Sequence, residues 1–498
     1  CHCVTVNEDT HPHNKHTYKI GNMQLHHRGT TSGSNGHTVT ETYNAKSKHH
    51  DKHQRRRGAI TLAERFELML PYIVFVIGTA LLLAKVKKSF SPIDEKVVES
   101  LDTLTSSRRY EPRFDEMHGI GDKSRFYREL RAEYDAKFPV TAAAAEERLL
   151  YVASLKKRSY LPVTQGISYD VFHCPFEPPS GYPFAWPIMD VLGHWGPDDT
   201  SPRSSVYQGL CVFDYNDDYD KAMNYRDNEV PFIVRNDPQV LRTVERWAQP
   251  EYLSRLMPEE FDHRAEYSEN NHFMYWMLRG GKGRHGKPKG PEGWKPPTKM
   301  IRMTYQDWLS KANVTDESLL GPDNPHWYFR LIGCGRQRNC DKLSAEFLFD
   351  ELPFYQPQRS LYMVNPDQQK GIHCRFGMKG VIAENHFDGS RNFITLLGGE
   401  RRYILAHPDQ CELLALLPKQ HPSGRHSAVD WSDPEPYFEE YPDFPKAKVN
   451  EVVMQAGDAL YLPTHWFHYI VSLELNFQCN TRSGISKDYQ NFIHQCGF

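Results

Sequence analysis

Short runs of apolar residues, alternating with polar ones, fill the C-terminal third of the chain. Each run has the period of two that a β-strand with one buried face requires. Turns are expected at Gly398-Gly399, at Gly457-Asp458 and around Pro463. The runs are GVIAENHF, RNFITLLGG, RRYILAHP, EVVMQAG, DALYLPTHWFHYIVS and LELNFQCN. Many short strands separated by turns predict a β-sandwich or barrel, and the earlier run VPFIVRND predicts one more strand.

A different period precedes these strands. From Pro92 to about Leu161, apolar residues recur every three or four positions in EKVVESLDTL, KSRFYRELRAEYDAKF and AAAAEERLLYVASLKK, which predicts helices. Passages rich in Pro, Gly and polar residues then mark a boundary near residue 200. We therefore predict an α+β protein with a helical stalk and linker over 92–200. A strand-rich domain follows over 201–498, with its β core at about 360–482.

One stretch is apolar without any period. Leu68 to Ala84 reads LMLPYIVFVIGTALLLA and carries no charge, and lysines follow it closely. At about 1.5 Å per residue, a helix of this length just crosses a hydrocarbon core. The alternative is a buried helix in a soluble domain. The flanking basic residues favour a single transmembrane anchor over 66–88.

The orientation of this anchor follows from its surroundings. Slightly more basic residues precede the anchor than follow it, which favours a cytoplasmic N-terminus. The sequon Asn313-Val314-Thr315 and the cysteines beyond the anchor point the same way, and Cys334 and Cys340 are close enough in sequence to pair. We predict a single-pass type II protein with a lumenal domain in the endoplasmic reticulum or Golgi. A cytoplasmic-facing domain stays open as the alternative.

The N-terminal segment and the overall charge exclude other classes. Residues 1–60 are rich in His, Thr, Asn, Ser and Gly and poor in large apolar residues, which predicts a disordered, histidine-rich tail. Its histidines lack the regular spacing that a metal site needs. The formal net charge of −3 argues against a nucleic-acid-binding protein, so no nucleic-acid partner is expected.

A histidine and an aspartate end the strand GVIAENHF. His386 and Asp388 are two residues apart, and in a strand such residues point to the same face. An isolated His-x-Asp is usually a turn with a solvated Asp. A metal site needs a third ligand from a later strand. The run GDALYLPTHWFHYIVS offers His465, in the turn after Pro463, and His468, within the strand.

We choose His468 because strand geometry fixes the direction of its side chain. Two histidines and one carboxylate leave three positions of an octahedral ion open. This is the site type of non-haem Fe(II) oxygenases.

Together these motifs resemble the JmjC and cupin-like family of iron- and 2-oxoglutarate-dependent oxygenases, on its peptide-hydroxylase side. The resemblance runs from about Val230 to the C-terminus. It rests on His386-x-Asp388, on the strand–Gly-Gly–strand element, on HPDQ after Ile404, and on His468 within GDALYLPTHWFHYI. It implies a double-stranded β-helix of the cupin or jelly-roll type. It further implies Fe(II) bound by His386, Asp388 and His468, with 2-oxoglutarate and O₂ as co-substrates.

The resemblance also implies a co-substrate pocket, with one departure from the family pattern. The family usually has a lysine on the strand after His-x-Asp, where it binds the far carboxylate of 2-oxoglutarate, but the matching position here is Arg401. Asn392 and Asn480 match positions that often line the pocket. Alternatively, Arg401 is a surface charge beside Arg402, and both asparagines are ordinary hydrogen-bonding residues of the barrel.

The function that the resemblance implies is hydroxylation of a protein or peptide side chain by a membrane-attached enzyme. The same chemistry at an N-methyl group would make the protein a JmjC-type demethylase, although a lumenal enzyme would not meet chromatin. A different class is a non-catalytic, membrane-tethered binding or scaffold protein. The change to Arg401 favours it, whereas the intact set of His386, Asp388 and His468 argues against it. A cupin that uses a metal without 2-oxoglutarate is the remaining alternative.

Overall fold

The alternating runs form β-strands, and the strands assemble into two sheets packed face to face. The computed structural model describes residues 125–138, 166–203, 205–278, 291–334, 345–356 and 361–498. The predicted tail over 1–60 and the predicted anchor over 66–88 lie outside these residues. Within the ranges just given, no helix has the length and apolar character that crossing a bilayer requires.

The elements of the described residues are numbered in chain order. The strands are β1 (Trp186–Pro187), β2 (Val212–Asp214), β3 (Phe232–Arg235), β4 (His263–Ser268), β5 (His272–Phe273), β6 (Lys299–Met303), β7 (His326–Gly333), β8 (Gln369–Gly377), β9 (Ile382–Phe387), β10 (Asn392–Gly398), β11 (Glu400–Ala406), β12 (Lys448–Gln455), β13 (Ala459–Leu462), β14 (Phe467–Ser472) and β15 (Asn476–Ser483). The α-helices are α1 (Arg125–Lys137), α2 (Ile188–His194), α3 (Tyr219–Asp227), α4 (Pro238–Trp247), α5 (Pro250–Leu256), α6 (Tyr305–Ala312), α7 (Leu348–Glu351) and α8 (Gln490–Gln495).

The strands from β8 to β15 wind back and forth between the two sheets. The smaller sheet has the order β1-β12-β11-β14-β9-β5, and the larger has the order β2-β3-β13-β10-β15-β8-β7-β4-β6. Apart from β11 and β12, which both lie in the smaller sheet, successive strands of this series change sheet. This is the winding of a double-stranded β-helix. The predicted sandwich is confirmed, and its core runs over 369–483, close to the predicted 360–482.

A glycine turn carries the chain from the larger sheet to the smaller one. Gly399 has a φ of +67°, and a Cβ atom at this position would lie 2.2 Å from the carbonyl oxygen of Leu475. Only glycine fits both constraints. The predicted turn at Gly398-Gly399 is therefore confirmed, and it places Arg401 near the start of β11.

Helices cover the outer face of the larger sheet. Trp247 of α4 and Trp308 of α6 pack their rings 5.7 and 5.8 Å from the ring of Phe376 on β8. Asp237 begins α4 by accepting a hydrogen bond from the backbone N–H of Gln239. Because aromatic burial occupies the outer face, the polar residues of these strands face the space between the sheets.

The predicted stalk and linker over 92–200 are described only in part. Helix α1 lies within one predicted helical segment, and the other two segments lie outside the described residues. Strand β1 pairs with β12, with Trp186 opposite Val449, and Ile188 of α2 is fully buried. The passage over 166–200 therefore belongs to the sandwich rather than to a linker, because its apolar side chains cover the edge of the smaller sheet.

Disulfides join residues that are far apart in the sequence. Among the described residues the pairs are Cys174–Cys211, Cys374–Cys479 and Cys411–Cys496. Cys334 is also disulfide-bonded, whereas Cys340, its predicted partner, lies outside the described residues. Disulfides of this kind persist in oxidising compartments.

Candidate metal centre

Three side chains converge at one end of the space between the sheets. His386 lies near the end of β9, Asp388 follows that strand, and His468 lies on β14. The two strands are antiparallel neighbours with His386 directly opposite His468, and the ring centroids are 4.2 Å apart. The potential ligand atoms of all three residues lie within 4.8 Å of one another. This arrangement has the size of a coordination sphere.

Hydrogen bonds fix which nitrogen of each imidazole is available. Nδ1 of His386 lies 2.7 Å from the carbonyl oxygen of Glu384, and Nδ1 of His468 lies 3.1 Å from that of Trp466. Because a carbonyl oxygen only accepts, each Nδ1 carries a proton and each Nε2 keeps its lone pair. Burial lowers the pKa of both rings, that of His386 well below its ordinary value. Both histidines are therefore neutral and suited to bind a metal.

The carboxylate of Asp388 is held in its ionised form. Burial is the largest single effect and raises the pKa of Asp388, but Arg482, His386, His468 and Arg425 together outweigh it, so the pKa is lowered. Nη2 of Arg482 lies 2.6 Å from Oδ2 of Asp388, whereas Oδ1 lies 3.9 Å from Nη1 of Arg425. Oδ1 is thus the less engaged oxygen. Two neutral imidazoles and one carboxylate fit the donor set of a non-haem iron site.

His465 lies beside this group but does not belong to it. Its φ of 71° places it in the turn between β13 and β14, as the sequence predicted. Its backbone N–H donates to the carbonyl oxygen of Asp388 at 2.9 Å. His465 therefore holds the backbone of the aspartate, while His468 contributes its ring to the converging group.

Arg401 and Arg402 point to opposite faces of β11. Both are fully buried, so the alternative of a surface charge at Arg401 is wrong. Arg402 faces away from the space between the sheets, where it pairs with Glu451 at 2.5 Å and stacks on Trp195. This pairing excludes Arg402 as a substitute anchor for a co-substrate.

Arg401 faces the space between the sheets. Its guanidinium donates to the side-chain oxygens of Asn476 and Gln478 and, at 3.2 Å, to the carbonyl oxygen of Arg375. It also lies 5.5 Å from the ring centroid of Tyr328. These contacts are all neutral groups, so they satisfy hydrogen bonds without balancing the charge. A buried cation in this state attracts an anion strongly.

Register relates Arg401 to the metal group. Arg401 lies opposite Ser472, and Leu405, on the same face of β11, lies opposite His468. Four residues of β14 separate the two positions, or about 13 Å along the strand. The long arginine side chain covers part of this distance, which leaves room for a small dicarboxylate between the guanidinium and the metal group.

Asn392 and Asn480 lie at the metal end rather than beside Arg401. Nδ2 of Asn480 donates to Oδ1 of Asn392 at 2.8 Å, and Nδ2 of Asn392 donates to Oδ2 of Asp388 at 3.3 Å. The inner face of β15 therefore serves both ends of the site. Its Gln478 holds Arg401, and its Asn480 supports Asp388 through Asn392.

His426 is a residue that the sequence did not place in this site. It lies in the connection between β11 and β12, forms a β-bridge with His386, and stacks its buried ring 5.0 Å from that of His386. The preceding Arg425 donates to the carbonyl oxygen of Phe387 at 3.1 Å. The stretch HPSGRH carries no ligand spacing, so only the folded structure shows that this connection covers the metal group.

Comparisons with known proteins point to one family. The model of the cupin-like domain family matches residues 220–483, which is more than half of the chain. The chain is 35% identical over 106 residues to the tRNA wybutosine-synthesizing protein 5 of Mus musculus, covering 21% of this chain and 31% of that relative.

Two further relatives carry other names. The chain is 28% identical over 142 residues to the Jumonji C domain-containing protein 5 of Drosophila melanogaster, covering 27% of this chain and 34% of the relative. It is 26% identical over 181 residues to the lysine-specific demethylase 8 of Danio rerio, covering 35% of this chain and 42% of that relative. The matches thus span less than half the length of each of these curated relatives.

Proposed function

Because the chain belongs to the cupin-like domain family, with JmjC proteins among its relatives, we propose that it is an iron(II)- and 2-oxoglutarate-dependent oxygenase that hydroxylates a protein or peptide side chain. One observation carries this proposal. The group formed by His386, Asp388 and His468 faces the same space as the buried, charge-unbalanced Arg401. A metal at one end and a cation at the other match the two ends of 2-oxoglutarate.

Each residue has a defined task in this proposal. The Nε2 atoms of His386 and His468 and the less engaged Oδ1 of Asp388 hold Fe(II). Arg401 binds the far carboxylate of 2-oxoglutarate through its planar fork, which suits a carboxylate better than a single ammonium would. When bound together, iron, 2-oxoglutarate and O₂ supply the oxidation of an unactivated C–H bond, and the protein supplies position and orientation.

Apolar residues keep water away from this space. They come from both sheets and so exclude bulk solvent from both sides. In this space of low dielectric constant, the attraction between Arg401 and a bound carboxylate is stronger than in water. The members of this inner cluster that lie on the strands around the site are Ile394, Leu396, Tyr403, Leu405, Leu460, Leu462 and Ile470.

Two features of this chain, its disulfides and its exposed sequon, favour hydroxylation over demethylation as the proposed reaction. The disulfides suit an oxidising compartment, and the sequon residue Asn313 is exposed at the end of α6. Both features support a lumenal enzyme, which would not meet histones. Two relatives are named for tRNA wybutosine synthesis and for lysine demethylation. These activities belong to those relatives and do not identify the substrate of this chain.

The test is turnover with the metal and the co-substrate alone. Purified protein with Fe(II), 2-oxoglutarate and O₂ should form succinate slowly, even without its substrate. His386→Ala and Asp388→Ala should abolish both succinate formation and Mn(II) binding in calorimetry, while circular dichroism stays that of a folded sandwich. Mn(II) binding without any 2-oxoglutarate binding by the unmutated protein would instead favour a metal-binding cupin. No binding of either would favour a scaffold protein.

A further inference from the structure

A row of arginines crosses the strands that extend the larger sheet. Arg302 of β6 lies opposite Arg264 of β4, Arg264 opposite Arg330 of β7, and Arg330 opposite Arg375 of β8. The next residue in the row is Gln478 of β15, which lies opposite Arg375 and accepts a hydrogen bond from Arg401. Directly paired residues share a face of a sheet, so the row lies on the inner face.

The arginines of this row repel one another. Like charges directly opposite each other across neighbouring strands destabilise a sheet. Arg330 is 9% exposed and pairs with Glu266, but its Nε has no hydrogen-bond partner among the described residues. Burial, followed by the charges of Arg375, Arg264 and Arg482, lowers the pKa of Arg330 well below its ordinary value. At the centre of the row, Arg330 and Arg375 together carry more positive charge than Glu266 balances.

The row reaches the metal group through Arg482. This residue lies on the inner face of β15, and its Nη2 lies 2.6 Å from Oδ2 of Asp388. Its Nε is buried and has no hydrogen-bond partner in the part of the chain that the structure describes. Burial, and next the charges of Arg375 and Arg482, lower the pKa of the nearby His373 to about 3, so this ring adds no further charge. The positive field thus extends from the open edge of the larger sheet to the group formed by His386, Asp388 and His468.

We propose that Arg264, Arg330, Arg375 and Arg482 bind the oxyanions of an acidic peptide substrate and so place a neighbouring residue at the metal. This assignment of the substrate class rests on the proposed oxygenase function. The oxyanions are the carboxylates of Asp or Glu, or the phosphate of a modified side chain. Guanidinium groups bind both in the same forked geometry.

A peptide fits this niche better than a nucleic acid does. The arginines are gathered on the inner face of one sheet rather than along an outer stripe, and the chain as a whole carries a net charge of −3. A nucleic-acid site needs a basic track along the phosphate backbone. A localised niche suits one or two oxyanions beside the reacting residue.

The experiment is fluorescence anisotropy with the full chain and labelled probes. The probe is a ten-residue peptide of alternating Glu and Gly. The comparison probes carry Gln or phosphoserine in place of Glu, and a single-stranded oligonucleotide of equal charge is the last probe. The parent protein should bind the Glu or the phosphoserine peptide, and whichever of the two binds more tightly identifies the source of the oxyanion. The Gln peptide should bind at least about tenfold more weakly than that peptide, which corresponds to the loss of charge-assisted hydrogen bonds.

Substitutions locate the binding. Arg264→Gln and Arg375→Gln should each weaken binding of the preferred peptide about tenfold. The control Arg255→Gln removes a half-exposed arginine of α5 that pairs with Glu133 on the surface, and it should bind like the parent. Because Arg375→Gln removes like-charge repulsion, its melting temperature should not fall, so weaker binding will not reflect unfolding.

Four results would overturn the proposal. They are equal binding of the Glu, Gln and phosphoserine peptides, parent-like binding by Arg264→Gln, tighter binding of the oligonucleotide, and displacement of the peptide by 2-oxoglutarate, which would make the niche part of the co-substrate pocket. The proposed function is tested separately by 2-oxoglutarate calorimetry on the same samples. If 2-oxoglutarate does not bind but the preferred peptide binds through Arg264, the oxygenase function is contradicted and the anion niche is supported.

Discussion

Arg401 and Arg402 are identical in chemistry, and only the alternation of a strand separates their environments. Arg402 forms a buried ion pair with Glu451, and breaking such a pair costs about 3–5 kcal/mol because one charge is left alone. Arg401 has neutral partners in Asn476 and Gln478. Its charge is therefore available to a ligand, whereas that of Arg402 is committed to the fold.

Arg401→Ala should weaken 2-oxoglutarate binding about 100-fold, because two charge-assisted hydrogen bonds to the far carboxylate are lost. Arg401→Lys should recover only part of the affinity, since an ammonium gives one point contact where a guanidinium gives a fork. Calorimetry with Mn(II) in place of iron measures both ligands. Metal affinity should stay nearly unchanged in both variants, and unchanged 2-oxoglutarate affinity in Arg401→Ala would remove Arg401 from the pocket.

The two histidines of the β13–β14 region provide a second comparison of single residues. His468→Ala should remove metal binding, because its ring lies in the converging group. His465→Ala should retain most metal affinity, because the contact with Asp388 is made by its backbone N–H, which alanine keeps. Titration of both variants with Mn(II) decides the assignment. The opposite order of affinities would show that His465 is the ligand.

Strand β9 holds a feature that its alternation of apolar and polar residues did not predict. The register against β14 shifts between the pairs His468–His386 and Ile470–Ala383, which is a β-bulge. Near this bulge, Glu384 pairs with His272 of β5 at 2.5 Å. Period-two patterns predicted where the core strands lie. They could not predict the bulge, because an extra residue is set by the partner strand and leaves no sign in its own sequence.

The pair formed by His272 and Glu384 makes the stability of this edge depend on pH. Burial lowers the pKa of His272, but the hydrogen bond and charge of Glu384, with Asp430 and Asp198, outweigh burial and raise it from 6.5 to about 9. The folded state thus holds the proton more tightly than the unfolded state does. The resulting stabilisation is fully present below about pH 6.5 and is lost as the pH rises through about 9.

His272→Gln should therefore lower the melting temperature by several degrees at pH 6 and by much less at pH 10. Differential scanning calorimetry of parent and variant across this range measures the difference. Subtracting the two curves removes the groups that titrate in both proteins. A constant difference between pH 6 and pH 10 would mean that His272 is not protonated in the folded state.

Across the folded domain, the sequence predicted the sandwich and the converging triad, but not the contacts between strands that are distant in the chain. His386, Asp388 and His468 could be found because two of them share a strand end and the third lies in a recognisable strand. The row from Arg264 to Arg375 could not be found in the sequence, because it depends on the register of β4, β7 and β8, which are far apart in the chain. His426 likewise reaches the site only through the path of a long connection.

Glycosylation at the sequon of Asn313 would report the compartment of the folded domain. Asn313 follows α6, its side chain is exposed, and its backbone N–H bonds to the carbonyl oxygen of Leu309, so a glycan would not disturb the helix. If the domain is lumenal, glycosidase treatment should increase the mobility of the protein made in cells with a secretory pathway. Asn313→Gln and Thr315→Ala should both abolish this change and leave the melting temperature unaltered.

Protease added to intact vesicles should spare residues 166–498 and degrade accessible loops only after detergent is added. Digestion of the domain in intact vesicles would place it on the cytoplasmic side, where the disulfides Cys174–Cys211 and Cys374–Cys479 would be exposed to reduction.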